Sequence, residues 1–477
     1  MEQKLNFTKD KIPYLLKKIA IPAATGTLFQ SLYTLVDTFY AGKISANALV
    51  ALSKAFPISF IIISFGVGIL AGTTSLIANA LGEKKQSKAA SYLAQSVLYS
   101  FLIYILVIFL GLYSASDILN FMGTEEINIL LTLEYIQIIF IGSIFFFLQV
   151  SLNSVLNAEG DTRSYRNILI ISFFLNIFLN PLFVFGFGII PAFGVSGLAI
   201  ATIICQLISL LYILTKVLKT DLAQLLNLKF FIVKINLILD LFKQGMPITL
   251  SLMLIGLGIY NILFFVSKFG DIATAGYGVA LRIEQLLLLP TIGLNTAVLS
   301  ITGQNFGAKE YDRIGEVYYK AIFYGALIML IAGLFIFFSG NFLIQLFSND
   351  PEVLYYGVQY LKIAALIGPV YPIFFITNAF FQGIKKPIYS TFINLFRIVI
   401  LPFITMWLIL NYFNGGFIDL FIGLLVINWI FGIFIIIIVR YFFLIFFLIF
   451  LQNKKQLISA PDILILKKYI FLTVCRC

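Results

Sequence analysis

The sequence predicts an all-α integral membrane protein with twelve transmembrane helices arranged as two parallel six-helix repeats. Three observations predict this fold. The 477-residue chain has a mean hydropathy of +1.03, with 61% hydrophobic and 11% charged residues, whereas soluble domains are roughly a quarter charged. Apolar runs long enough to cross a hydrocarbon core of about 30 Å recur along the whole chain. The second six runs follow the first six at a constant offset.

The apolar runs form two groups, separated by a longer and more polar interval. Each run approaches or exceeds the length of about 20 residues that a helix needs to span a bilayer. The predicted spans lie near residues 15–41, 48–80, 91–113, 128–152, 165–187 and 193–215, and then near 245–268, 273–303, 318–339, 353–380, 388–412 and 417–440.

Basic residues are distributed unevenly between alternate loops. Twenty of the 32 Lys and Arg residues lie in segments predicted on the inner side, whereas only Lys43 and Lys268 lie in outer loops. Four more fall within spans, and six follow from Arg440 onward. Because basic loops stay on the cytoplasmic side, we predict a bacterial cytoplasmic (inner) membrane protein with both termini in the cytoplasm. The lysine-rich start lacks a small-residue cleavage site, so we expect no cleaved signal.

An internal repeat with an ungapped offset of 225 residues relates the two halves. Since each copy has an even number of spans, both enter the membrane from the same side, and the repeat is parallel. We predict an N-terminal six-helix lobe over 1–219, a cytoplasmic amphipathic linker over 220–243, a C-terminal six-helix lobe over 244–440 and a hydrophobic, basic tail over 441–477. The matched pairs include Pro22 with Pro247, Gly68 with Gly293, Gly82 with Gly307, Tyr135 with Tyr360 and Asn153 with Asn378.

The residue types that hydrolytic or metal chemistry needs are missing or isolated. The chain has no histidine and only three cysteines, which argues against histidine bases, Ser-His-Asp triads and zinc sites. The formal charge of +11 is not concentrated in a dense basic stretch with interleaved aromatics, as single-strand nucleic-acid binding would require. We therefore predict a protein that is not an enzyme, has no cofactor and binds no nucleic acid.

Asp37 is the main functional candidate, because a carboxylate inside a span is costly and usually functional. It lies about five residues before the outer end of the first predicted span. Asn176 and Asn180 share one face of the fifth span, and Thr202 lies at a similar depth in the sixth. Carboxylate, amide and hydroxyl oxygens are the ligands that hard cations take. We predict that these four residues form a cation or proton site.

Several short motifs stand out between residues 15 and 440. They are Ile21-Pro22 through Gln30, Tyr33 and Val36-Asp37-Thr38-Phe39-Tyr40; Asn79-Ala80-Leu81-Gly82; Asn157-Ala158-Glu159-Gly160-Asp161; Arg282-Ile283-Glu284; and Gly303-Gln304-Asn305-Phe306-Gly307-Ala308. Together these motifs resemble those of the multidrug and toxic compound extrusion (MATE) transporters, particularly their DinF-like branch. The resemblance implies a V-shaped two-lobe architecture and a secondary active antiporter that works by alternating access.

The resemblance also implies what is exchanged. H⁺ or Na⁺ would move in at the Asp37 site while an amphipathic organic cation moves out. The position of Asn180 is often an aspartate in the family's archaeal and DinF-like members. Asparagine here leaves one carboxylate where they have two, which weakens the case for a Na⁺ ion held by Asp37, Asn176, Asn180 and Thr202 and favours H⁺ exchange.

Further residues gain expected roles from the same resemblance. Gln30 and Tyr33 share a helical stripe with Asp37, and this stripe is expected to face the substrate cavity. Tyr135 and Asn153 match positions that line this cavity in the family. A bend of the first helix at Pro22 is thought to follow protonation of the aspartate, although a fixed kink would explain the proline equally well.

Glu284 is a second carboxylate predicted inside a span. We predict that it contributes to the substrate cavity by attracting a cation; the alternative is a buried ion pair with Arg397 or Lys362. No acidic residue occurs over 247–267, where some family members carry a Na⁺ site.

The alternative function is a lipid-linked oligosaccharide flippase of the same superfamily, a class that commonly has fourteen spans and a cationic cavity. The tail has only two short apolar runs, so we predict an extended twelfth helix followed by an interfacial piece. The expected partners are small, amphipathic, cationic substrates and the lipid bilayer, and we expect a monomer.

Overall fold

The computed structural model describes residues 5–122 and 124–453, and the regular elements in these ranges are helices. The N-terminal lobe consists of six long helices. They are α1 (Ile12–Ile44), α2 (Ala46–Gly82), α3 (Gln86–Phe121), α4 (Glu126–Glu159), α5 (Thr162–Val184) and α6 (Val195–Val217). A single turn of helix (Asp221–Gln224) and a 3₁₀ turn (Leu228–Phe231) follow in the predicted linker.

The C-terminal lobe has six further spans, of which three are interrupted. They are α7 (Ile235–Val266), α8a and α8b (Asp271–Leu287 and Leu289–Gly307), α9 (Tyr311–Gln345), α10a and α10b (Pro351–Ile367 and Tyr371–Gly383), α11a and α11b (Ile388–Asn394 and Leu401–Asn411) and α12 (Phe417–Asn453). One compact unit ends at Phe431, and a second unit begins at Gly432 within α12. The interfacial piece predicted in the tail lies outside the described residues.

The helix lengths agree with twelve membrane crossings. Within residues 5–122 and 124–453, eleven helices are each long and apolar enough to cross a membrane, and α8 makes the twelfth when its two halves, bent by 42°, count as one span. The sequence pattern did not predict the interruptions. Each of them lies at a proline: Pro290 follows the α8 break, Pro369 lies in the 3₁₀ turn Gly368–Val370, and Pro402 follows a π-helical segment, Leu395–Ile400. Proline has no N–H and crowds the preceding turn, so the backbone changes its hydrogen bonding there.

Small residues let the helices of the N-terminal lobe approach closely. Helices α2 and α4 run side by side in parallel for most of their length: Thr132 Oγ1 lies 3.4 Å from the carbonyl of Ala51, and Thr74 Oγ1 lies 3.4 Å from that of Ser154. Interfaces of this kind depend on close van der Waals packing, since lipid provides no hydrophobic drive for helices to associate.

The lobes meet at two crossings that the repeat relates to each other. In one crossing α1 packs against α8b, and a Cβ added to Gly293 would lie only 2.9 Å from Cβ of Ala24. In the other, α7 packs against α2, and a Cβ added to Gly68 would lie 2.7 Å from the carbonyl oxygen of Gly245. The prolines of the repeat, Pro22 and Pro247, lie next to these contacts within unbroken helices. Pro22 is therefore part of the interlobe packing.

Four helix ends on the lysine-rich side, which we call the basic face, share an unusual backbone conformation. Lys84, Lys309 and Lys385 have φ values of 59°, 63° and 61°, and Gly160 has 84°. The repeat pairs Lys84 with Lys309 and Gly160 with Lys385. Left-handed residues commonly end helices, but they are usually glycine because a Cβ is strained there. The three lysines thus place a positive charge at a negative helix end at the cost of that strain.

Substitution of Lys309 tests this account. We expect Lys309→Gly to be more stable than Lys309→Ala by about 1 kcal/mol, because both lose the charge but only glycine relieves the left-handed strain. The measurement is reversible unfolding in mixed detergent micelles. Equal stability of the two variants would contradict the strain argument.

Candidate functional site

Asp37 is buried in the C-terminal half of α1 and is held by side chains from two other helices. Its side chain is 6% exposed. Oδ1 accepts hydrogen bonds from Nδ2 of Asn176 at 2.9 Å and from Nδ2 of Asn180 at 2.8 Å. Oδ2 lies 3.5 Å from the Thr202 hydroxyl, which donates to it. The four residues of the predicted cation or proton site are therefore in one cluster, although their role in coupling stays a prediction.

Further hydrogen bonds orient the cluster. The two asparagines share a helix face, and Nδ2 of Asn180 also donates to Oδ1 of Asn176 at 3.1 Å. The Tyr33 hydroxyl donates to Oγ1 of Thr202 at 3.1 Å, which extends the chain of bonds from α1 through α6 and back to Asp37. Since Tyr33 is only half-buried, this series of hydrogen bonds links the buried carboxylate to a partly accessible phenol.

The orientation of the amides decides what the cluster can bind. Both amides point N–H groups at Asp37, so they satisfy an ionised carboxylate. A Na⁺ ion would need their oxygens to face the same point. Asn180 Oδ1 is buried and has no hydrogen-bond partner, so it is available to accept a hydrogen bond from a protonated Asp37 after the amide turns. No group of three or more His, Cys, Asp or Glu that could hold a metal occurs within residues 5–122 and 124–453.

The predicted cavity residues separate into two groups. Gln30 is exposed one turn before Tyr33, and Tyr135 is buried on α4 within electrostatic range of Asp37. Asn153 does not join them. It follows Tyr135 by 18 residues on the same helix, which is a rise of about 27 Å, and it is buried near the basic face without a hydrogen-bond partner. Matching its family position could not reveal this difference in depth.

Glu284 is buried in α8a and is held by tyrosines. Its side chain is 5% exposed, and its two carboxylate oxygens accept hydrogen bonds from the hydroxyls of Tyr360 and, at 2.8 Å, Tyr371. Neither proposed ion pair forms within the described part of the chain. The guanidinium of Arg397 stacks over the rings of Tyr371 and Phe374, 4.8 and 4.2 Å from their centroids, and Lys362 is exposed. Glu284 also lines a small cavity with Met329, Ala364 and Tyr371.

Sequence reasoning did not assign Tyr360 or Tyr371 to the Glu284 site. One signal was available, because the repeat pairs Tyr360 with Tyr135, and each tyrosine lies near the buried carboxylate of its own lobe. The carboxylates themselves do not align in the repeat, so the shared tyrosine position did not point to them.

The family model MatE matches two segments of the chain, residues 22–182 and 247–408. The starts of these segments differ by the offset of the internal repeat. The chain belongs to the MATE family. It is thus a multi-pass membrane protein of a family of multidrug efflux transporters, which are not enzymes, and the predicted two-repeat membrane fold is confirmed.

Relatives of known name agree with this assignment. The chain is 28% identical over 347 residues to "Probable multidrug resistance protein YoeA" of Bacillus subtilis, covering 72% of this chain and 75% of that protein. It is 25% identical to the "FAD transporter" of Shewanella oneidensis, with 81% and 86% covered. The fold is similar to a solved structure described as the outward-facing conformation of a multidrug resistance MATE family transporter, with a TM-score of 0.86, 22% identity and 93% and 98% covered.

Substitution of Asn176 tests how much the hydrogen bonds of the Asp37 cluster contribute to stability. Asn176→Ala removes one hydrogen bond to Asp37 and one from Asn180, so we expect the free energy of unfolding to fall by about 1–2 kcal/mol. Unfolding in mixed micelles measures the change. The control is Asn167→Ala on the same helix, since the Asn167 side chain accepts only from its neighbour Arg166. If both variants unfold alike, the cluster does not contribute to stability as described.

Proposed function

We propose that this MATE protein exchanges amphipathic organic cations for protons, with Asp37 as the coupling residue. The observation that carries the proposal is the buried carboxylate of Asp37, whose hydrogen-bond donors are the amides of Asn176 and Asn180. Donors that point at a carboxylate stabilise its ionised form without a metal ion. A proton is the one coupling ion that can enter without adding ligands, and this is the reason for preferring H⁺ to Na⁺.

Protonation would reverse the direction of hydrogen bonding at the cluster. Ionised Asp37 only accepts, whereas the protonated acid also donates. One amide must then turn its oxygen toward the acid, and Asn180 is the better candidate because its Oδ1 has no other partner. The rearrangement would act on α1, which carries both Asp37 and Pro22. A bend of α1 near Pro22 would alter the crossing with α8b and so couple the proton to the lobes.

Buried negative charge supports a cationic substrate. Asp37 and Glu284 give each lobe one buried carboxylate, and tyrosines flank both. An organic cation is attracted by such charges and by the faces of aromatic rings. We propose that Gln30, Tyr33 and Tyr135 contact the substrate in the N-terminal lobe and that Glu284 does so in the other lobe.

The distribution of basic residues also supports a proposed membrane orientation. We place both termini and the basic face in the cytoplasm of a bacterium, with the protein in the inner membrane, because lysines concentrate in alternate loops. We also propose that the protein is a monomer. The proposed segments are the lobes 1–219 and 244–440, the linker 220–243 and the tail 441–477.

Replacing Asp37 tests coupling. We expect Asp37→Asn to lower ethidium efflux, driven by an imposed pH gradient in proteoliposomes, on the order of ten-fold or more, since the amide cannot exchange a proton. Asp117→Asn is the matched control because Asp117 is exposed on α3. Efflux by Asp37→Asn at the parent rate would overturn the assignment of Asp37. If ethidium and other organic cations are not moved but FAD or a lipid-linked sugar is, the proposed substrate class is wrong.

Substitution of Asn180 tests whether H⁺ or Na⁺ is the coupling ion. Asn180→Asp would place a second carboxylate where an amide now lies 2.8 Å from Asp37, and two such carboxylates cannot both ionise without a bound cation. We expect efflux by this variant to gain a dependence on a Na⁺ gradient that the parent lacks. Asn167→Asp serves as the control. Na⁺-driven efflux by the parent itself would contradict proton coupling.

A further inference from the structure

Two side-chain amides join the lobes at the basic face in a symmetric pair. Nδ2 of Asn79, at the end of α2, donates to the carbonyl of Gly383 at the end of α10b, at 2.8 Å. Nε2 of Gln304, at the end of α8b, donates to the carbonyl of Ala158 at the end of α4, at 2.7 Å. The 225-residue offset relates Asn79 to Gln304 and Ala158 to Gly383. Each lobe therefore caps a helix end of the other lobe.

The accepting carbonyls are ones that their own helices leave without a partner. The last four carbonyls of a helix have no intrahelical N–H to bind. The turns after α4 and α10b satisfy the neighbouring carbonyls of Leu156 and Asn157 and of Phe381 and Gln382, whereas those of Ala158 and Gly383 receive the amides. If the lobes separated at this face, water could replace both bonds. The pair is thus suited to break and form reversibly.

Two glycines bring the donor helices together. A Cβ added to Gly82 would lie 2.9 Å from the backbone N of Ala308, and one added to Gly307 would lie 3.0 Å from Cα of Asn79. These glycines are also a matched pair of the repeat. The Ser75 hydroxyl adds a further interlobe bond, to the carbonyl of Gln382 at 2.5 Å. The amides therefore lie at the centre of a tight contact between the ends of α2 and α8b.

Charges of both signs lie on the rim of this contact. Lys385 of the C-terminal lobe is half-buried; burial lowers its pKa, nearby Lys88 and Lys85 lower it further, and Glu83 and Asp240 act in the other direction. Lysines from both lobes therefore face one another across the rim. Glu83 pairs with Lys85 and Lys88 and offsets part of their repulsion, and the hydrogen bonds at the centre further stabilise the closed contact.

We propose that Asn79 and Gln304 form the cytoplasmic gate, which keeps this face closed while the substrate site is open to the other side. The inference rests on the transport function and the orientation proposed above. Opening the gate requires both amides to release their carbonyls. The two residues are thus required for alternating access without contacting the ion or the substrate.

The interlobe distance tests the gate without any transport measurement. Spin labels at Gln86→Cys and Asp312→Cys, exposed on the basic face of different lobes, are introduced after replacing the native cysteines, and electron–electron double resonance is measured in nanodiscs. Loss of two interhelical bonds in Asn79→Ala/Gln304→Ala should raise the ratio of open to closed populations about five- to ten-fold. The matched control is Asn295→Ala, whose amide donates to a carbonyl within one lobe, that of Phe375.

A cross-link provides the converse test should the double variant fold poorly. A Cβ on Gly303 would lie 2.8 Å from that of Ala78, which is about 1 Å less than the separation of about 3.8 Å in disulfides, so a small outward shift of the two helices brings the cysteines to bonding distance. Oxidising Ala78→Cys/Gly303→Cys with copper phenanthroline should stop ethidium efflux, and dithiothreitol should restore it.

The two experiments separate the gate from the proposed function. Unchanged distances in the double variant, an equal change in the Asn295 control, or full efflux by the cross-linked protein would overturn the gate. If the distances shift as expected but neither the parent nor the double alanine variant moves organic cations, the gate stands and the proposed substrate class fails.

Discussion

The two lobes are held together by close backbone contacts at glycines, and most of the functional geometry depends on this constraint. Gly68 and Gly293 allow the first helix of each lobe to cross the second helix of the other, and Gly82 and Gly307 bring the ends of α2 and α8b into contact. Lipid does not drive helices together, so close packing and a few hydrogen bonds must do so. Contacts of this kind are either made or broken, and this suits a molecule that alternates between two arrangements.

The same packing connects the Asp37 cluster to the interlobe contact through one helix. Asp37 and Pro22 lie fifteen residues apart on α1, about 22 Å along the helix. The amides fix one end of this helix through Asp37, and the crossing with α8b fixes the region of Pro22. A proton that changes the hydrogen bonds of Asp37 therefore acts on a helix whose other half belongs to the lobe interface. This is the physical basis of the coupling that we propose.

The duplicated halves share a fold but differ in the groups that bind their buried carboxylates. The Asp37 carboxylate is bound by amides and a hydroxyl, whereas the Glu284 carboxylate is bound by phenols and has a guanidinium nearby. Tyr135 and Tyr360 occupy equivalent positions, yet the acids near them come from different helices. The interlobe amides behave differently, since Asn79 and Gln304 make equivalent hydrogen bonds in both halves. The repeat symmetry is therefore retained at the contact between the lobes and lost at the buried carboxylates.

The sequence by itself determined the fold class, the number of spans, the repeat and the candidate residues Asp37, Asn176, Asn180 and Thr202. These follow from local properties: apolar length, loop charge, helical spacing and the cost of a carboxylate in a span. Depth along a helix could also be read from the sequence, because Asn153 follows Tyr135 by 18 residues. Only the tertiary structure decided which way the amides face Asp37, that tyrosines rather than Arg397 or Lys362 bind Glu284, and that Asn79 and Gln304 cap helix ends of opposite lobes. Such choices depend on side chains from helices far apart in the sequence meeting at one point, where the geometry of packing, and not any local pattern, selects the partner.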